Sequence, residues 1–153
     1  MKLALTLLLA AALAGCGSKP RAPDFQMNAH DALERYTTAY MSGNARVEAA
    51  EFELARKELA STAQPGRVAG AELTRCALRV ASLALEPCAG FEPLRADSPA
   101  PARAYADYLA GRIKPSEVGL LPVQHRPIAS GQGAAGVKAI EDPLSRLVAA
   151  GEP

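Results

Sequence analysis

The strongest constraint on this chain is a seam of small and medium apolar residues at helical spacing. Ala69, Leu73, Cys76, Val80 and Leu83 recur at alternating intervals of four and three, which places them on one stripe of an α-helix. A half-buried strand needs alternation with a period of two, and no stretch sustains that pattern with β-rich residues. Three Phe, four Tyr and no Trp leave the core to Ala, Leu and Val, whose small side chains let helices approach closely. The expectation is an all-α fold: an antiparallel helical hairpin or small helical bundle, with short C-terminal helices.

The order of elements follows from caps and breakers. A first helix is predicted from Asn28 as N-cap to Gly43, with Ala29, Leu33, Tyr36 and Tyr40 on its apolar face. Asn44 caps a second helix to about Thr62. Val47, Ala50, Phe52, Leu54, Ala55 and Leu59 spread over nearly half its circumference, a stripe that calls for two neighbours. Gln64-Pro65-Gly66 breaks the chain before a third helix, about Arg67 to Leu85, which carries the seam; Glu72, Arg75 and Arg79 lie away from the seam, and Pro87 stops the helix. A fourth helix starts at Ser98-Pro99, presents Ala102, Tyr105 and Leu109, and ends at Gly111. One or two turns are expected over 115–121, a flexible connection over 122–136, and a last apolar helix from Asp142-Pro143 to Gly151 carrying Leu144, Leu147 and Val148.

A shift of twenty-one residues aligns Ala50, Glu51, Phe52, Ala55 and Leu59 with Ala71, Glu72, Leu73, Cys76 and Val80, the trace that stacked helical repeats would leave. Alanine-rich helices also match one another by chance. The segment from Ala39-Tyr40 through Gly43 to Glu48-Ala49-Ala50 faintly resembles a tetratricopeptide hairpin, although its turn and second helix are longer and no second copy follows at that family's period.

The N-terminus carries the most specific motif. After Met1-Lys2, residues 3–13 are all Leu and Ala except Thr6. That run is short of the about 20 residues a helix needs to cross a bilayer, and it reads as the apolar region of a secretory signal peptide. Leu13-Ala14-Gly15-Cys16 resembles, in all four positions, the lipobox of bacterial lipoprotein precursors. The resemblance covers only these first sixteen residues. It implies a diacylglyceryl group on the Cys16 thiol, cleavage before Cys16 and a fatty acyl group on the freed amine. Each buried CH₂ contributes about 0.8 kcal/mol, so two or three chains tether a protein to the bilayer without spanning it. Gly17-Ser18 lacks the Asp that often retains lipoproteins in the inner membrane, which favours the periplasmic face of the outer membrane. The expected organisation is a signal peptide over 1–15, a lipid-anchored flexible tether over 16–25, a long-helix core over 26–90, and proline-rich loops with short helices packed on that core over 91–153.

Removing residues 1–15 takes away one lysine and no acid, leaving sixteen basic and sixteen acidic side chains. A neutral, interspersed surface argues against nucleic acid as a partner. Export would place Cys76 and Cys88 where disulfides form. A helix from Cys76 to Leu85 climbs about 13 Å, and three extended residues return about 10 Å. A bridge therefore requires the chain to fold straight back; otherwise Cys76 is a small buried apolar residue.

Candidate chemistry is sparse. His30 and Glu34 could share a helical face as metal ligands but have no recognisable third ligand, so an exposed first-turn histidine is the ordinary reading. His125, followed by Arg126, falls in a loop without an evident acid or nucleophile partner. The glycines from 131 to 136 lack the lysine of a phosphate loop. Glu51 with Glu58, and Glu141 with Asp142, read as helix-surface and helix-start charges; Lys19 and Arg21 beside the anchor either touch lipid headgroups or keep the tether soluble. No cofactor, metal or catalytic residue is expected.

The function expected is that of a membrane-anchored periplasmic lipoprotein, non-catalytic, that binds the bilayer through acylated Cys16 and another envelope protein through its helical face. Two alternatives are a periplasmic enzyme acting on cell-wall material and a small-ligand or lipid-binding lipoprotein with a cavity near Tyr36, Tyr40, Phe52 or Leu83. A cleft gathering His125 with acids, an enclosed apolar pocket, or an open apolar groove would respectively favour enzyme, ligand carrier and interaction protein.

Overall fold

The computed structural model describes residues 23–153. The expected signal peptide, Cys16 and residues 16–22 of the tether lie outside the described residues. Among the described residues the fold is all-α, with no strand. Three longer helices come first: α1 (Asp24–Met41), α2 (Ala45–Ala60) and α3 (Pro65–Ala81). A 3-10 turn (Glu92–Leu94) leads to α4 (Ala100–Leu109), two more 3-10 segments (Pro115–Leu120, Val123–His125), and the short helices α5 (Arg126–Ala129), α6 (Gly133–Ala139) and α7 (Pro143–Gly151).

α1 begins five residues before the start that an Asn28 N-cap implied, so residues 24 and 25 belong to the helix rather than the tether. Asp24 sits in the first turn, at the positive end of the helix dipole. Phe25 lies under the Arg67 guanidinium, 5.1 Å from its ring centre, a contact across the fold that local capping signals do not register. At the other end the hairpin turn matches expectation. Gly43 takes φ +71, the Gly43 and Asn44 amides donate back to the Tyr40 and Ala39 carbonyls, and Asn44 Oδ1 accepts from the Val47 amide at 3.3 Å.

α3 is the axis of the fold. It starts at Pro65 rather than Arg67, because proline is pre-shaped for the first helical position, and Gly66 lies inside the helix. One side sets Val68, Ala71 and Leu78 against Ala29, Tyr36, Phe52 and Leu59 of the α1–α2 hairpin. The other sets Ala69, Leu73, Ala77 and Val80 against Phe91, Tyr108, Leu109, Leu121, Ile128, Ile140 and Val148. α2 has the two neighbours its stripe called for, α1 and α3, and α3 is in turn covered from two sides. α2 buries only Phe52, Ala55 and Leu59, and leaves Val47 40% and Leu54 39% exposed.

The seam holds for Ala69, Leu73 and Val80, with Cys76 half-buried, and fails at Leu83. α3 stops at Ala81 because Leu83 adopts φ +59. Its amide donates to the Val80 carbonyl and that of Ala84 to Arg79, the same C-terminal motif that Gly43 closes on α1. Leu83 therefore points outward, 72% exposed. The early stop lets the chain fold straight back, and Cys76 and Cys88 are paired as a disulfide with Cα atoms 5.7 Å apart.

Residues 122–136, expected as a flexible connection, are ordered into α5 and the start of α6. Buried Leu121, His125 and Ile128 pin the segment to the core, a tertiary constraint that outweighs its Pro and Gly content. α7 is capped as predicted, Asp142 Oδ2 accepting from the Ser145 amide at 2.6 Å. It packs back on α3, where Gly151 lies so close to the Val80 carbonyl that a Cβ would overlap it.

The φ of Leu83 costs a non-glycine residue about 1–2 kcal/mol, and its exposed side chain recovers little by burial. Leu83→Gly should raise stability by about 0.5–1 kcal/mol, measured by denaturant unfolding, after allowing for the extra freedom of glycine in the unfolded chain. Were Leu83 part of the core seam, the same change would lower stability by about 2–5 kcal/mol.

Candidate functional site

The sequence-predicted residues are dispersed. His30 Nε2 and Glu34 Oε1 are 3.3 Å apart on the outer face of α1, with both side chains about 70% exposed. Among the described residues no group of three His, Cys, Asp or Glu is placed to hold a metal ion. Glu51 pairs across the hairpin with Arg35 at 2.9 Å, Asp142 caps α7, and Lys19 and Arg21 lie outside the described residues. Gly131 ends α5 with φ +86, and Gly133 opens α6 with φ +51.

His125 is not in an open loop. It is 2% exposed, its ring centre is 5.1 Å from that of Tyr108 and 5.7 Å from that of Tyr105, and its Nδ1 is 3.3 Å from the Tyr108 hydroxyl. Burial pushes its pKa below the ordinary 6.5, partly opposed by the charge of Asp142. Burial likewise pushes Tyr105 up to about 12. Arg126 turns away to donate to the Leu121 carbonyl at 2.8 Å. The three rings form a packed aromatic cluster under α4, not a cleft that gathers acids around an imidazole.

Two surface features are better formed. The first is a groove of about 350 Å³ between α3 and α7, open to solvent and lined mainly by apolar atoms of Leu73, Ala77, Leu78, Leu144 and Val148, with Gly70 on its floor and Tyr105 on its wall. A Cβ on Gly70 would meet no atom within 4 Å, so the fold itself does not require glycine there.

The second centres on Glu72, which the periodicity placed only away from the seam. Glu72 is fully buried. Its Oε1 is 3.1 Å from Arg56 Nε of α2 and its Oε2 is 2.5 Å from Arg75 Nη2 one turn along α3; these are ion-pair distances without hydrogen-bond angles. Arg75 also covers the face of Phe52 at 4.6 Å. Gly90 closes on the pair, and a Cβ there would collide with the Glu72 carboxylate and the Arg75 guanidinium. Beyond Arg75, a polar pocket of about 210 Å³ is walled by Arg79, Glu86 and the disulfide-closed backbone, with Arg79 Nη1 on Glu86 Oε2 at 3.0 Å. The usable signal was apolar residues on both sides of Glu72, which leave an inserted carboxylate no solvent-facing direction.

No helix among the described residues is long and apolar enough to cross a membrane. No protein-family model, curated protein or solved structure matches the chain.

Two expectations test these environments. The folded state disfavours protonated His125, so the unfolded chain takes up that proton first. Its contribution to stability is complete above pH 6.5 and falls as pH drops below it, with a slope of at most about 1.4 kcal/mol per pH unit. Urea unfolding between pH 7.5 and 5 should show this slope, and His125→Gln should flatten it. Buried and exposed ion pairs also separate: Glu72→Gln leaves two guanidiniums facing a neutral buried group and should cost about 2–4 kcal/mol. Glu86→Gln, on the surface, should change stability by less than about 0.5 kcal/mol in the same assay.

Proposed function

We propose that this chain is a lipid-anchored lipoprotein of the bacterial cell envelope, favoured at the periplasmic face of the outer membrane, whose helical domain is a non-catalytic interaction module for another envelope protein. The observation that carries the reading is the charged start, short apolar run and Leu13-Ala14-Gly15-Cys16 motif. The α3–α7 groove supports the second half of it. The groove is open and apolar rather than enclosed, the shape that suits a side chain or helix from a partner better than a sequestered small ligand. The domain's even balance of acids and bases favours a protein partner over nucleic acid or an electrostatically bound lipid surface.

The anchor is tested by fractionating envelopes from cells expressing the full chain or Cys16→Ser, with mass spectrometry of the N-terminal peptide. The expected outcome is a diacylglyceryl-modified Cys16 in the membrane fraction and its loss from that fraction in the variant. Equal membrane retention of both forms would overturn the anchor. In-cell crosslinking of the same two forms should capture one dominant envelope protein, dependent on Cys16; capture that ignores a groove-filling Gly70→Leu change would remove the groove from the interface.

A further inference from the structure

We propose that the pocket formed by Arg75, Arg79 and the disulfide-closed segment binds a carboxylate-bearing ligand, and that Glu86 is its built-in competitor. The inference goes beyond the reading above and does not depend on the anchor.

Of the guanidiniums paired here with Glu72 and Glu86, Arg75 and Arg79 border the pocket, and Arg56 stands behind Glu72. The two carboxylates differ in kind. Glu72 is buried, and it immobilises Arg75 at the pocket wall together with the Phe52 ring beneath and the Gly90 backbone beside it. Glu86 is 62% exposed and holds only Arg79, whose side chain is 38% exposed. An exposed pair of this kind is weak and exchanges with other anions, so the pocket already shows its preference: a carboxylate from its own chain sits on Arg79. A guanidinium has five N–H donors in a planar fork that matches a carboxylate, and Arg75 and Arg79 retain donors beyond those used by Glu72 and Glu86. A volume of about 210 Å³ admits a carboxylate with a short attached group. A carboxylate brings one negative charge beside the buried Glu72, where a dianionic phosphate would bring two.

The carboxylate could be a chain terminus or an acidic side chain, and the probes separate these. The full chain, disulfide intact, is titrated with N-acetylalanine, with N-acetylglutamate bearing a methylamide at its terminus, with N-acetylalanine amide and with inorganic phosphate, following the Arg75 and Arg79 Nε–Hε signals by NMR. Either carboxylate should shift both signals with a dissociation constant of about 1–10 mM, and the tighter one names the source. The amide should shift neither. Glu86→Gln should tighten binding about three-fold or more, and Arg79→Gln should weaken it about ten-fold while its thermal midpoint stays within about 2 °C of the parent. The proposal is overturned by any of four results: no shift at saturating carboxylate, equal shifts with the amide, a response to phosphate alone, or an affinity indifferent to Glu86→Gln.

Discussion

Everything in this molecule depends on α3 being buried from two sides. The α1–α2 hairpin has an aromatic pair, Tyr36 and Phe52 at 4.9 Å, that packs against Val68, Ala71 and Leu78 of α3. The short helices beyond residue 91 have little apolar surface individually, and they become a core by closing on Ala69, Leu73, Ala77 and Val80. Helices of four to ten residues are not stable alone in water. Their order comes from α3, and burying one of its Leu or Val side chains contributes about 1.5–3 kcal/mol.

Burial on two sides forces the chemistry at Glu72. A helix with neighbours on both sides has only narrow solvent-facing edges, and position 72 is not on one of them. Its carboxylate must be paired, and the partners come from different parts of the chain: Arg56 from the hairpin, Arg75 from α3 itself, and Gly90 as the backbone lid. Rotating α3 by one residue would carry the buried carboxylate away from Arg56 of α2, leaving it only Arg75, which turns with it. Glu72 therefore holds the rotation of α3, and in doing so it fixes Arg75 in the wall of the polar pocket. The pairing of Cys76 with Cys88 presses the same backbone onto the same charges.

The geometry also orders the surface. α1 starts beside Arg67, at the N-terminal end of α3, through the Phe25 contact. Arg79 lies twelve residues further along, about 18 Å at 1.5 Å per residue. The basic pocket thus lies toward the other end of α3 from the start of α1, with the apolar groove between the two.

Much of the helical framework was legible. Asn44, Asp142, Gly43 and Gly111 mark ends that the fold uses, since capping and left-handed turns are local chemistry settled within a few residues. The seam was legible through Val80 and failed at Leu83, because a leucine took the left-handed position usually given to glycine, a choice stabilised by the returning segment rather than by its own preference. His125 was placed in a mobile loop because Pro127 and Gly131 dominate the local reading, whereas Tyr105 and Tyr108, distant in sequence, bury it. The sequence by itself determined the helical class, most helix ends and the motif at Cys16, all carried by residues within one or two turns of each other. Only the tertiary structure decided which helix became the axis, that Glu72 points inward, and where Arg75 and Arg79 share a pocket. Those outcomes depend on which faces meet, and periodicity along a chain describes a face without naming what will cover it.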